Sequence, residues 1–366
     1  LKKYAANQIT FLQFVFILHG SQVGTGIFAL PRILAEKAGT DGWISVILAW
    51  CCNLIASVVI IKVFKKYPND TLPDLLIRLF GKIVGRILIL PIIVYFAFMV
   101  WNILIATMLY VKGWFLPMTP DYVVMILLIV PGYLVASKGA RVLGRYSELV
   151  FYMTIWLFLI LIFAIKDSHW IHLLPIVKEG WLPIFQGVAA TIYPFLGFEI
   201  LFVIYPFLQK KHLAVRGVVL ANTITLAIHL GITLISFAFF SPDGITEYNE
   251  PVFNLLKVIE FHFIERFDMV FLALYLFVVT TCWLPYAFGA ILSTEIWLGK
   301  KNSQAIAAIL VVFIILLILL THPSWNESNK WTQIINQAGI GFAYLFPFLL
   351  YIYVGIYNRF QRSESK

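Results

Sequence analysis

The chain has 366 residues, 61% of them hydrophobic and only 12% charged. Soluble domains run near 45–50% apolar and 25% charged, so the composition excludes an ordinary soluble domain. A net charge of +9 invites a nucleic-acid role, but the lysines and arginines gather between apolar runs and so report membrane topology instead.

Runs of about 20 apolar residues, enough to cross roughly 30 Å of hydrocarbon, recur along the whole length. The sequence therefore predicts an all-α integral membrane protein: a single permease-like domain over 1–366 with ten transmembrane helices. The spans fall at approximately 9–33, 42–64, 83–111, 121–137, 146–165, 183–208, 217–240, 268–293, 304–321 and 335–358.

The first run is too long for a signal-peptide core and has no A-x-A-like exit. Its middle reads "HGSQVGTGIFALP", His19–Pro31, with Gly20, Gly24 and Gly26 where a plain span would be apolar. Cys51 and Cys52 in the second run, like Cys282 later, have no ligand spacing and read as small apolar fillers. Segment 66–82, with Leu75, Leu76, Leu79 and Phe80 clustered, predicts a helix on the cytoplasmic surface. In the third span, "YFAFMVWN" puts Tyr95, Met99 and Asn102 on one helical face. The fifth, "YSELVFYMTIWLFLILIFAI", carries no internal lysine. The sixth contains "TIYPFLGFEIL", with Pro194 and Gly197 central. Segment 251–266 predicts an extracellular amphipathic helix.

Orientation follows from the basic loops. Lys62, Lys65, Lys66, Arg78, Lys82 and Arg86 fall on one side, with Lys138, Arg141, Arg145, Lys210, Lys211, Arg216, Lys300 and Lys301. Asp243, Glu247, Glu250, Glu260, Glu265 and Asp268 fall on the other. The positive-inside rule then makes both termini cytoplasmic.

Ten spans divide into five and five, and an odd number inverts the second half. That predicts inverted repeats at about 9–165 and 183–358, with a substrate site at the midplane between matching discontinuous helices. Spans 1 and 6 are both interrupted, at Gly24 and at Pro194–Gly197. Proline removes a donor and clashes with the preceding turn, and glycine lowers the barrier to leaving helical geometry. Unwound backbone in a bilayer is tolerated only where it lines a cavity or is buried in protein. In span 1 the second half-helix would offer N–H groups and a positive dipole end to a carboxylate. In span 6 freed carbonyls would suit an ammonium group, so the pair fits a zwitterion such as an amino acid. Close helix packing at small residues is the alternative. Glu199 is the acidic residue placed deepest in the hydrocarbon, either a proton site or a structural bond to the unwound backbone. His19 and His229 are read as core histidines or proton relays.

"GSQVGTGIFALP" and "FLGFE" (Phe195–Glu199) resemble the helix 1 and helix 6 signatures of the amino acid–polyamine–organocation (APC) superfamily. More narrowly, "ALPR" at 29–32, "DGW" at 41–43, "FLGFE", and "FIERFD" at 263–268 leading to "TT" at 280–281 resemble the endospore germination permease family, the B subunits of GerA-type germinant receptors. The resemblance implies the fold of leucine-type sodium symporters and residence in the spore inner membrane. It also implies an A-type membrane subunit and a C-type lipoprotein as partners, and binding of a small nutrient germinant, commonly an amino acid. A secondary amino acid transporter of the same superfamily is the alternative.

Position and resemblance together nominate Gly20, Ser21, Gln22, Val23, Gly24 and Thr25 in helix 1, and Tyr193, Phe195, Leu196, Gly197 and Phe198 in helix 6. Tyr95, Met99 and Asn102 in helix 3 and Thr280, Thr281 and Trp283 in helix 8 complete the expected ligand site. Relatives that couple to protons place a lysine in helix 5, and its absence here weakens a transporter reading. No Ser–His, Cys–His or HExxH arrangement is present, so no enzyme, metal site or cofactor is expected.

Overall fold

The computed structural model describes residues 4, 7–241, 244–259 and 266–364. The first apolar run does not form one helix. It divides into α1 (Phe11–Gln22), a 3₁₀ turn at Thr25–Ile27, and α2 (Leu30–Ala38). α1 starts on a capping box, in which the Thr10 hydroxyl accepts from the Gln13 N–H and Gln13 Oε1 accepts from the Thr10 N–H. α3 (Gly42–Lys66) follows directly. In that tight corner a side-chain carbon on Gly42 would fall 2.7 Å from Leu34 Cβ. The neighbouring Asp41 carboxylate accepts from the N–H groups of Val177 (2.9 Å) and Lys178 (3.2 Å), and so fixes the loop before the sixth run.

α4 (Leu72–Trp114) includes the expected surface helix and the third span, joined at Gly81 with φ 79°. Leu75, Leu76 and Leu79 are buried, so that short helix packs into the protein rather than on lipid. α5 (Asp121–Ala136) and α6 (Ala140–Ile160) follow. The sixth run is broken into α7 (Trp181–Ala190), α8 (Ile192–Phe195), a 3₁₀ turn at Phe198–Ile200, and α9 (Leu201–Ile204). Then come α10 (Ala214–Phe239), α11 (Pro251–Val258), α12 (Phe267–Leu298) and α13 (Ser303–Thr321). α14 (Trp325–Gly339) runs through a π-helical stretch, Ile340–Leu345, into α15 (Phe346–Glu364).

Among the described residues, seven helices are long and apolar enough to cross a membrane. The bent pair Trp181–Ala190 and Ile192–Phe207, angled by 54°, adds an eighth if it is counted as one span. The chain is a multi-pass membrane protein. α11 covers the first part of the amphipathic segment expected at 251–266. Phe263–Glu265 of "FIERFD" lie outside the described residues, while Arg266 pairs with Asp268 at 3.0 Å.

α12 packs along α4, and α1 is enclosed by α6, α10 and α12. At the end where α4 begins, the chain ties itself together. Ile9 pairs in parallel with Leu208: the Ile9 N–H donates to the Phe207 carbonyl (2.9 Å) and the Gln209 N–H to the Ile9 carbonyl (3.1 Å). Tyr4 donates to Asp74 at 2.7 Å, and Lys211 donates to the Pro68 carbonyl. Around the other end of α4, its end at Trp114, the helices part around a large vestibule.

Candidate functional site

The helix 1 break is short. After α1, Val23 (φ −105°, ψ 93°) and Gly24 (φ −127°, ψ −158°) are extended. Ser21 and Gln22 turn their side chains back onto the carbonyls of Ile17 (2.7 Å) and Leu18 (3.0 Å). Carbonyls freed by the break find donors across the interface with α12. Ser21 O accepts from the Cys282 thiol at 3.2 Å and Gly24 O from the Tyr275 hydroxyl at 2.8 Å. Buried main-chain groups must be paired, and here side chains of another helix pair them.

The helix 6 break turns on Gly197, whose φ of 134° is open to glycine and strained for other residues. Its N–H donates to Glu199 Oε2 at 2.7 Å. The other carboxylate oxygen accepts from Tyr95 (2.8 Å) and Tyr286 (2.7 Å). Glu199 is fully buried, and three donors from three places in the fold converge on it. Of the two roles open to it from sequence, this geometry is that of a clamp on the unwound backbone.

The two breaks meet backbone to backbone. A side-chain carbon on Gly197 would collide with the Ser21 carbonyl group and fall 2.7 Å from the Gln22 nitrogen. Asn53 of α3 ties the junction together from behind. Its Nδ2 lies 3.1 Å from Gln22 Oε1, 3.2 Å from the Phe195 carbonyl and 3.2 Å from Asn222 Oδ1. Its Oδ1 accepts from Tyr344 of the π-helical stretch at 2.7 Å. The Phe195 carbonyl, at the end of the first half-helix, thus faces the Asn53 amide.

Between the breaks lies a cavity of about 20 Å³, lined by Ser21, Gln22, Gly24, Thr25, Met99, Tyr193 and Leu196 among the nominated residues. Gly26, Ile27, Ile103, Pro194 and Cys282 line it as well. Cys282 was the hardest to foresee, because nothing in its sequence context separates a filler from a thiol facing a freed carbonyl. Asn102 stands behind the wall, 3.0 Å from the Tyr193 hydroxyl and 3.1 Å from Thr332 Oγ1.

The other nominated residues lie elsewhere. Gly20 and Val23 are buried in helix 1 outside this cavity; Gly20 faces Thr281, with no room for a side chain between them. Thr281 donates to the Val278 carbonyl of its own helix and Thr280 to that of Phe277, with Tyr146 close by. Trp283 packs on Gly132 of α5. Phe195 lies against His229 (ring centroids 4.8 Å apart) and Phe198 against Tyr344 (5.2 Å). Gly197 serves the backbone junction, and Tyr95 serves Glu199. His19 Nδ1 meets Thr225 Oγ1 at 2.9 Å, and His229 Nδ1 meets the Thr225 carbonyl at 3.0 Å. Among the described residues no cluster of His, Cys, Asp or Glu could hold a metal ion.

Thr25, Gly26, Tyr193 and Pro194 line this small cavity on one side and the vestibule on the other. The vestibule measures about 1040 Å³. Its walls come from α2, the end of α4, α7, α11 and α14, with many side-chain amides and the rings of Tyr110, Trp114, Phe253 and Trp325.

Residues 8–326 match the model of a protein family described as spore germination protein. Spore germination protein GerQB of Bacillus cereus is 23% identical over 335 residues, 91% of each chain. Spore germination protein A2 of Bacillus subtilis (strain 168) is 26% identical over 371 residues, 98% of each chain. Among solved structures, that of MhsT in complex with L-phenylalanine superposes with a TM-score of 0.64 at 11% identity, covering 96% of this chain and 89% of that one. The substrate-bound outward-open state of a Na⁺-coupled sialic acid symporter gives 0.64 at 12% identity, covering 96% and 80%. At such identities these likenesses speak for the fold alone.

Proposed function

Because the chain belongs to the spore germination protein family, we propose that it is the membrane-embedded B-type subunit of a germinant receptor, binding a small nutrient at the junction of its two helix breaks. The single observation that carries the reading is that junction: Gly197 lies against Ser21 beside a cavity shared by the helix 1 and helix 6 breaks. Two interrupted helices facing each other inside a bilayer are maintained for binding, since broken backbone there needs dedicated partners. An amino acid is the favoured germinant class. The MhsT structure of similar fold holds L-phenylalanine, and the lining of Ser21, Thr25, Met99, Ile103 and Tyr193 mixes polar groups with apolar walls.

In this reading the chain has ten spans in inverted five-span repeats, and helix 1 and helix 6 each count as one discontinuous span. Both termini are cytoplasmic, so the vestibule faces the outer side of the spore inner membrane. Partners are an A-type membrane subunit and a C-type lipoprotein. The germinant acts by binding one conformation better than another, which is the only way a ligand shifts such an equilibrium.

The test is germination of spores whose sole copy of this subunit carries Gly24→Val, which drives a branched side chain toward Cys282. The variant spores should lose the response to the nutrient that triggers wild-type spores, with subunit levels unchanged on immunoblots. An unaltered response overturns the site. The symporter-like fold favours a second reading, a secondary amino acid transporter. Liposomes holding the purified protein separate the two: accumulation of the nutrient, with normal germination of spores lacking the subunit, establishes transport and ends the receptor reading.

A further inference from the structure

The sequence of α14, "WNESNKWTQIINQAG", is polar for a helix that enters a bilayer. Part of that polarity faces the vestibule, where Gln333 and Asn336 belong to the lining. Gln337 does not. It is exposed outside that lining, and its amide has no hydrogen-bond partner among the described residues. Its depth follows from α4, which runs alongside in the opposite direction. Thr332 is level with Asn102 (3.1 Å), and the Phe342 ring is level with that of Tyr95 (centroids 4.6 Å apart). Gln337 lies between those two levels, near the middle of the apolar run at 83–111. At 1.5 Å per residue that is within roughly 8 Å of mid-depth, well inside a hydrocarbon layer of about 30 Å.

A side-chain amide has two N–H donors and an acceptor oxygen, and acyl chains offer it nothing. The surface around it is shaped for a closer neighbour than lipid. Lys330, Ile334, Gln337, Ala338 and Gly341 fall on one exposed side of the helix at helical spacing. Ala338 carries only a methyl group, and a side-chain carbon on Gly341 would meet nothing within 4 Å. Small residues let a second helix approach closely, and a polar side chain beside them bonds across the contact. The opposite side of α14 is fixed in the protein: Ile335 is buried, and Gly339 has no room for a side chain against Leu196. A second copy of this chain fits the face poorly. Two-fold contact at Gln337 would bring two Lys330 residues to the same end of the interface, and Glu327 beside them accepts from the Ser324 cap.

We propose that this side of α14 docks one transmembrane helix of a different membrane protein. That helix presents a small residue to Ala338 and Gly341, and an amide or hydroxyl to Gln337. About 10 Å further toward the vestibule end it carries an acid for Lys330. The place rests on α14 alone; the partner's identity, the A-type membrane subunit, rests on the proposed function. Docked there, the partner would touch the helix that packs on the helix 6 break through Gly339 and reaches Asn53 through Tyr344 of the following π-helical stretch.

The test is photocrosslinking in membranes that hold the full chain and a tagged A-type subunit. Benzoylphenylalanine is placed at Ile334 or Leu345, on the edges of the face, or at Ile309 of α13, which is 68% exposed, as a control. Crosslinks to the A-type subunit should form from the two α14 positions and not from Ile309. Gln337→Leu should lower their yield about threefold to tenfold, the value of one hydrogen bond between helices in a bilayer. The unfolding midpoint of purified Gln337→Leu should be no lower than that of wild type. Crosslinks to lipid alone, to a second copy of this chain, or equally from Ile309 overturn the docking face. A lowered midpoint gives Gln337 a role inside the chain and overturns it too. Gly24→Val separates this inference from the nutrient site. Crosslinking at α14 with germination indifferent to Gly24→Val keeps the docking face and removes the junction site. A response lost in Gly24→Val without crosslinking at α14 does the reverse.

Discussion

The junction and the vestibule both concentrate polar residues in an apolar protein, but they use them differently. At the junction nearly every polar group is engaged with another part of the chain: Glu199 with Gly197, Tyr95 and Tyr286, Asn53 with Gln22, Phe195, Asn222 and Tyr344, Cys282 with Ser21. In the vestibule, Arg32, Glu250 and Asn336 each keep a buried atom without a partner among the described residues. Polarity inside a membrane protein therefore has two meanings. Saturated groups hold broken backbone in place, and buried groups left unsaturated beside the vestibule cost stability there. Substitutions of the saturated junction groups Gly197, Glu199 and Asn53 should accordingly lower stability, and removing the charge of an unsaturated vestibule group should not.

The largest effect is expected at Gly197. Any side chain there meets the Ser21 backbone and must adopt φ 134°. Gly197→Ala should destabilise the purified protein by about 3–5 kcal/mol, combining strain and overpacking. Thermal unfolding in detergent reads it directly; a midpoint equal to wild type would mean that the two breaks are not in contact. Glu199→Gln comes next. An amide has one acceptor oxygen where three donors converge, so about 2–3 kcal/mol should be lost. If instead stability held and only a proton-dependent response changed, Glu199 would be a proton site and the contrast with the vestibule would fail. Asn53→Leu, which keeps the branching but not the hydrogen bonds of the side chain, should remove about 2 kcal/mol by stranding Gln22 Oε1 and the Phe195 carbonyl.

How much of this was legible depended on what each feature rests on. The break at Gly24 and the break at Pro194–Gly197 could be read, because Gly and Pro act locally on backbone geometry and their placement in an apolar run is visible without any partner. Helices α3, α10, α12 and α13 lie close to the runs predicted at 42–64, 217–240, 268–293 and 304–321, since apolar length alone sets them. Tyr95 was nominated for the ligand site, but in the fold its hydroxyl donates to Glu199, 104 residues away, and helical spacing says nothing about such a pairing. Asn53 passed unnoticed for the same reason: a single amide in a run of apolar residues carries no local signal, and its role appears only when four other segments meet it. Arg32 read as part of a motif and Glu250 as one of several outer acids. Their shared cavity exists only in the folded chain.

The smallest expected effect bears on the vestibule's side of the contrast. Burial pushes the Glu250 carboxyl up to about 7, against partial relief from the Tyr110 hydroxyl and the Arg32 charge. The other charged or titratable side chains lining the vestibule are Glu36, Lys37, Tyr193 and Lys257. A carboxyl raised above its unfolded value of about 4.5 favours the folded state when protonated, so its contribution is complete below that value and fades as pH rises through about 7. The glutamine variant, which cannot ionise, escapes that loss. Between pH 5 and pH 8 Glu250→Gln should therefore gain on wild type by about 1–2 kcal/mol, after allowing for partial screening at this half-buried site. Unfolding midpoints of the two proteins across that range measure the difference, in which titrations common to both cancel. A constant difference would mean that Glu250 is ionised throughout and already satisfied, and the vestibule would then resemble the junction.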